Sequence, residues 1–419
     1  FLKAAESLDK IVESDPKIKE DFLKKNVNTV DFSKKLLGQI VFLYFLQKKG
    51  WFGIEKNANW GTGSKNFIRG LFNQKNTTYK NFFNDILEPF FYEALANERT
   101  SDFYAYLNCK IPFLNGGLFD PIGNYDWEHT DILLPNDLFS NKKQTPQGDI
   151  GTGIFDVLDR YNFTVKEDEP LEKEVAVDPE MLGKVFENLL EVKDRKSKGT
   201  FYTPREIVHY MCQQSLTHYL VTELKGRVNR EDLETLIQFG DTVVEHDPRG
   251  ARLRKETGEH SCKIPKNVIQ NASALDKALA NIRVCDPAVG SGAFLLGMMG
   301  EIVRIRNALT HYLDSSSGRT PYGFKRHAIH SCLYGVDIGP GADETCKLRL
   351  WLSLVVDEDD IRHIQPLPNL DYKIVQGNSL LGVKKDLYNL KLFNELEELK
   401  PKYFNEEIVK RKQKYKEKI

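Results

Sequence analysis

The sequence predicts an α/β chain in two parts, a helical N-terminal domain followed by an incomplete, doubly wound parallel sheet. Three observations predict it. Apolar residues recur at helical spacing through the first third; from Ile282 onward the pattern changes to strand–turn–helix; and three successive strands end in polar or glycine signals. The 419 residues are enough for about two or three domains. The 41 % apolar and 28 % charged fractions suit a globular protein with real cores, and the net charge of −1 neither favours nor excludes nucleic acid.

In chain order, Leu36, Leu37, Ile40, Val41, Leu43, Tyr44 and Leu46 fall on one broad helical face, and Phe82, Phe83, Ile86, Leu87, Phe90, Phe91 and Leu95 on another. Both stripes read as helix–helix core rather than ligand boxes. Asn115-Gly116-Gly117 and Pro121-Ile122-Gly123-Asn124 mark a loop. A helix is expected over Pro179 to Glu191, a long one over Pro204 to Leu224 with proline in its first turn, and a third over Asn267 to Ala280. Residues 241–265 read as an irregular polar excursion. His246, His260 and Cys262 within it match no zinc spacing.

Six cysteines without a CxxC pair read as reduced thiols in a cytoplasmic protein, and no stretch is long and apolar enough to span a membrane. No signal peptide opens the chain. Phe1 is not an initiator methionine, so a piece of a longer protein is expected.

The strand–helix half carries the chemistry. Arg283-Val284-Cys285 is β-competent and runs into Asp286-Pro287-Ala288-Val289-Gly290-Ser291-Gly292, with a helix expected from Ala293 to about Leu313. A second strand, Leu333 to Asp337, precedes a helix over Ala342 to Val355. A third, Tyr372 to Gln376, precedes Gly377-Asn378-Ser379. In open α/β sheets ligands bind beyond the carboxyl ends of the strands. Gly290 and Gly292 permit positive φ and close approach, and the following helix offers free N–H groups. The dinucleotide fingerprint GxGxxG fails at Leu295, and no GK[ST] follows for a phosphate loop. A carboxylate at the first strand tip suits a cationic ligand and would repel a pyrophosphate. Asp337 can accept from a ribose diol, a role equally open to nicotinamide cofactors, or can cap the next helix. Asn378 can read an adenine edge or make a turn. The conjunction at three successive strands is what points to a nucleoside-bearing ligand.

Val284-Cys285-Asp286-Pro287-Ala288-Val289-Gly290-Ser291-Gly292-Ala293-Phe294 resembles motif I of adenine-N6 DNA methyltransferases. Gly199-Thr200-Phe201-Tyr202-Thr203-Pro204 resembles their motif X, Leu333 to Ile338 motif II, and Val375 to Leu381 motif III. Motif X ahead of motif I is the order of the gamma-type enzymes, shared by the alpha type. Three N-terminal stretches, Leu43 to Gly50, Pro112 to Phe119 and Pro179 to Glu187, resemble the segment before the methylase of type IIG-like restriction–modification enzymes.

The resemblance implies a Rossmann-like S-adenosylmethionine methyltransferase domain. It implies that Thr200, Phe201, Tyr202, Thr203 and Pro204, with Asp286, Pro287, Ala288, Gly290, Gly292 and Phe294, hold the methionine end of S-adenosyl-L-methionine. Asp337 would take the ribose, Ile338 the adenine face and Asn378 the adenine edge. Many members carry Asp at the last position. The implied layout is a helical spacer over residues 1–165, a connector with motif X over 166–281, the cofactor half-domain over 282–382 and a charged helical tail over 383–419.

The implied partner is double-stranded DNA with a flipped adenine, together with a restriction nuclease domain or subunit. The family's catalytic Asn/Asp-Pro-Pro-Tyr/Phe is absent from the 419 residues, so no catalytic residue is assigned and the chain alone is expected to be inactive. Cytosine-C5 chemistry is disfavoured, because none of the cysteines follows a proline. No nuclease constellation and no metal site is expected. The rivals are a non-catalytic cofactor- or DNA-binding module of a restriction or phage-defence complex, and a nicotinamide-dependent oxidoreductase.

Overall fold

The structure is a computed structural model. It describes residues 1–163 apart from 76, 115–116 and 147, the pair 176–177, and residues 203–240 and 264–418, less 314–317, 340, 357, 359, 366, 383–385, 387–388, 406–410, 412–413 and 416–417. The helix expected over Pro179 to Glu191 and the excursion with His246, His260 and Cys262 lie outside the described residues. The fold is mixed α/β, helix-rich, with small sheets. No helix among the described residues is long and apolar enough to cross a membrane. The chain divides into two compact units. One comprises Phe1–Leu190, Lys347–Tyr372 and Leu380–Ile419; the other comprises Glu191–Cys346 and Lys373–Ser379.

The first unit is built round the helix Thr29–Lys48, started by the Asn28 side chain, which accepts from the Asp31 N–H at 2.7 Å. One apolar face was expected; instead every residue from Gly38 to Gln47 is buried, as befits a central helix. Its polar groups are satisfied inside. Gln39 donates to the Leu118 carbonyl at 2.9 Å, and Gln47 accepts from the Ile68 N–H at 3.2 Å.

The Phe82–Leu95 stripe is helical as expected, but π-wound over Phe83–Leu87 and Pro89–Leu95. Pro89 sits mid-run and has no N–H to donate, which a widened turn tolerates better than a regular α-helix. Within this run Glu88, 1 % exposed, accepts from the Tyr125 hydroxyl at 2.5 Å, and Tyr125 lies 3.2 Å from the Tyr92 hydroxyl. Burial pushes the Glu88 carboxyl well up, as do Asp131 and Asp85, against the lowering effect of the Tyr125 bond. Among the described residues this unit has two short strand pairs: β1 (Phe103–Tyr104) with β2 (Cys109–Lys110), antiparallel, and β3 (Asn162–Phe163) with β4 (Ala176–Val177), parallel.

The second unit holds a three-stranded parallel sheet in the order β5 (Val284–Asp286), β6 (Leu333–Asp337), β7 (Ile374–Gln376). The second strand has its predicted bounds and the third is shorter at its start. Helix Ala293–Thr310 follows β5, and helix Ala342–Val356 follows β6. Helix Arg205–Glu223 packs on Ala293–Thr310, with Pro204 just before its first turn. The single helix expected over Asn267 to Ala280 is two, Lys266–Gln270 and Ala272–Asn281. Asn271 breaks it by turning its side-chain amide onto the Asn267 carbonyl at 2.9 Å. Asp276 joins the later helix to its neighbours. It accepts from Arg306 at 2.9 Å and Arg319 at 2.6 Å, and both guanidinium groups lie over the Phe324 ring.

Candidate functional site

The carboxyl ends of β5, β6 and β7 bring together most of the sequence-predicted residues. In register, Asp286 lies opposite Gly335, and Asp337 opposite Gln376. The loop after Asp286 is strapped across the end of β6. Val289 N–H donates to the Val336 carbonyl at 2.9 Å, and Gly290 N–H to one Asp337 oxygen at 2.8 Å. The other Asp337 oxygen accepts from Gly339 N–H at 2.7 Å. The Asp337 backbone carbonyl accepts from Gly377 N–H at 2.8 Å, which sets Asn378, exposed, one residue beyond.

Two glycines make this loop possible. Gly292 has φ +86°, and an added Cβ would lie 2.6 Å from Cys346 Sγ. Gly335 sits inside β6, where an added Cβ would meet Val289 Cγ2 at 2.8 Å. At Gly290, φ +52°, nothing stands within 4 Å of the position a Cβ would take, so the loop faces open space there.

Two carboxylates, Asp286 and Asp337, stand at these strand ends. One Asp286 oxygen accepts from Ala288 N–H at 3.0 Å; the other is buried with no hydrogen-bond partner among the described residues. Burial raises the Asp286 carboxyl, partly offset by the Ala288 bond and reinforced by the negative charge of Asp337. A buried carboxylate oxygen with no donor is costly unless a ligand supplies one. Ile338, 61 % exposed, presents an apolar side chain directly after Asp337. Phe294 is half-buried in the first turn of the Ala293–Thr310 helix; Pro287 and Ala288 are exposed.

Thr200, Phe201 and Tyr202 lie outside the described residues; Thr203 and Pro204 lead into the Arg205–Glu223 helix. That helix reaches the site through Cys212, whose thiol donates to the Phe294 carbonyl at 3.6 Å. Burial, then the charges of Glu301 and Asp286, push the Cys212 thiol up to about 12. Sequence reasoning missed three residues here. Gly335, a glycine inside a strand, was a readable sign of close approach. Cys346 and Glu301 gave none, because each is defined by a partner far along the chain.

No family model matches the chain. Over 382 residues, 85 % of its length, it is 30 % identical to a protein of Methanocaldococcus jannaschii provisionally named a type II restriction enzyme and methyltransferase, of which it covers 28 %. Over 315 residues, 64 % of its length, it is 22 % identical to a type II restriction enzyme and methyltransferase of Escherichia coli, of which it covers 31 %. Among solved structures it is similar to the type IIL restriction–modification enzyme MmeI in complex with DNA, at 14 % identity and a TM-score of 0.45, over 91 % of this chain and 40 % of that one. The chain spans less than a third of the length of either curated relative, and both relatives are named as restriction enzyme and methyltransferase together.

Proposed function

We propose that this chain supplies the S-adenosyl-L-methionine-binding part of a DNA adenine-N6 methyltransferase in a type II restriction–modification system, with double-stranded DNA bearing a flipped adenine as substrate and a restriction nuclease domain or subunit as partner. The observation that carries the cofactor reading is the buried Asp286 oxygen, without a hydrogen-bond partner among the described residues, on the loop that opens at Gly290. The likeness to the two relatives supports the restriction–modification setting. The sequential order β5-β6-β7, with a helix after each of the first two strands, supports the first half of a Rossmann-like sheet.

The residues fit the cofactor. Asp286 offers its spare oxygen to a cationic group. Asp337 already holds two backbone N–H groups, one on each oxygen, and each oxygen keeps a lone pair for a ribose hydroxyl. Ile338 provides an apolar surface for a purine face, and Asn378 provides donor and acceptor for its edge. Gly290 lets the ligand approach the loop backbone, and Gly292 lets the loop turn against Cys346. Thr200, Phe201, Tyr202, Thr203 and Pro204 complete the methionine end in this reading. S-adenosyl-L-methionine, when bound, supplies an electrophilic methyl group. The chain's own part is binding and orientation, worth as much as any chemical group when two reactants must meet in line. No residue of this chain is assigned to the transfer, because Asn/Asp-Pro-Pro-Tyr/Phe does not occur in it.

Calorimetric titration of the chain with S-adenosyl-L-methionine tests this. Saturable binding is expected, weakened at least about tenfold by Asp337→Ala and by Asp286→Asn, since each removes a charge-assisted bond. Affinity should rise with pH as Asp286 ionises. Its carboxyl stands above the ordinary 3.8, so the gain falls above that value. Absence of binding by the folded chain, or equal binding by both variants, contradicts the cofactor reading and favours the non-catalytic module.

A further inference from the structure

Between helix Arg205–Glu223 and helix Ala293–Thr310 lies a carboxylate that ordinary packing does not require. Glu301 is 1 % exposed. One of its oxygens faces His209 Nδ1 at 2.8 Å and accepts from Gln213 Nε2 at 3.2 Å; the other accepts from Arg304. Arg304 also donates to the Ile237 carbonyl, in the helical stretch 230–240. Two helices therefore meet on one buried carboxylate, and Arg304 ties it to a third helical stretch.

The two helices are already well packed without it. Gly297 leaves no room for a Cβ, which would lie 2.6 Å from Val208 Cγ1 and 3.3 Å from Cys212 Sγ. Taking a carboxylate out of water costs several kcal/mol, and well-packed apolar replacements of such groups are often as stable. What a buried polar network adds to a packed interface is register, because it admits one geometry where apolar surfaces slide.

That register bears on the strand-end site. His209 and Gln213 lie within the first three turns of the helix that follows Thr203–Pro204. Glu301 lies two turns beyond the glycine loop, on the helix that Gly292 caps. Between them Cys212 touches the Phe294 carbonyl, in the first turn after the loop.

We propose that the His209–Glu301–Gln213 bridge is a strut that positions the glycine loop, and that His209 and Glu301 are positioning residues for ligand binding there. What the strut serves rests on the cofactor reading of the loop; whether it holds the loop does not. Gly290 and Gly292 report on it directly, since their N–H groups are bonded to Asp337 and to the Val289 carbonyl.

The test is hydrogen exchange across residues 286–292 of the 419-residue chain, with calorimetric titration of S-adenosyl-L-methionine alongside, in His209→Ala, His209→Gln and Glu301→Gln. His209 is 42 % exposed at its side chain, so its removal leaves the fold standing. His209→Ala and Glu301→Gln are expected to speed exchange at Gly290 and Gly292 about tenfold and to weaken binding about five- to tenfold, with a smaller rise in exchange elsewhere in the unit. His209→Gln, which keeps a donor, should restore both. Loop exchange at the wild-type rate in His209→Ala and Glu301→Gln overturns the strut. So does a uniform rise in exchange with no rescue by glutamine, which marks a purely structural role. If the wild-type chain fails to bind the cofactor, the reading of the site falls, and the exchange measurement still decides the strut.

Discussion

Glu88 and Glu301 are equally buried, at 1 % exposure each, and have opposite kinds of company. Glu88, in the first unit, sits among aromatic rings with a tyrosine hydroxyl as its donor. Glu301, in the second unit, has an arginine, a histidine and an amide. The first unit encloses a carboxyl in a place that favours its neutral form; the second surrounds one with three donors. Asp276, bound by Arg306 and Arg319, repeats the second pattern. Burial by itself therefore says little about what a carboxylate does, and the donors it meets decide whether it is tolerated or used.

The largest expected effect breaks the Glu301 network. Glu301→Ala should destabilise the chain by about 3 kcal/mol in urea unfolding, because Arg304 and His209, both partly exposed, lose their acceptor. A loss under 1 kcal/mol would put Glu301 with ordinary surface helix residues.

Asp276→Asn comes next, at about 2 kcal/mol near neutral pH. Burial pushes the Asp276 carboxyl up, but bonds from Arg319 and Arg306 outweigh it and hold the group below its ordinary 3.8. Its contribution is thus present above 3.8 and is lost as pH falls through the lower folded value. The gap between wild type and variant should close in acid; a gap independent of pH would mean that the ion pairs are not its source.

The smallest effect has the opposite sign. The folded Glu88 carboxyl lies well above its ordinary 4.5, so stability drawn from this group is complete below 4.5 and drains as pH rises through the folded value. Glu88→Gln should be more stable than wild type by on the order of 1 kcal/mol at pH 8, and equal to it near pH 4. A variant less stable at pH 8 would show that Glu88 is a charge held for its bonds.

The same contrast explains what the sequence discloses. The glycine loop, the bounds of β6 and the succession of Asp286, Asp337 and Asn378 at three strand ends were legible, because each depends on local spacing and on residue types with narrow conformational preferences. Glu301 was not legible, since a glutamate in a helix ordinarily faces water and its partners stand 88 and 92 positions away. Nor was the all-round burial of Gly38 to Gln47, which follows from what packs on the helix rather than from its own periodicity. The break at Asn271 turned on one side-chain rotamer, and the π-winding on how the chain accommodates Pro89 in a packed interior.

The approach of Gly292 to Cys346 has a consequence for the redesign of such chains. The space between the loop and the helix after β6 holds one sulfur atom and no further carbon. Volume at position 346 is limited by the loop, and a side chain at position 292 would need a smaller partner as well as tolerance of φ +86°. Residues 54 positions apart are thus tied by volume rather than by any shared contact with a ligand. A graft that moved the glycine loop into another scaffold would have to carry residue 346 with it. A chimera joined between the two would inherit a collision or a hole.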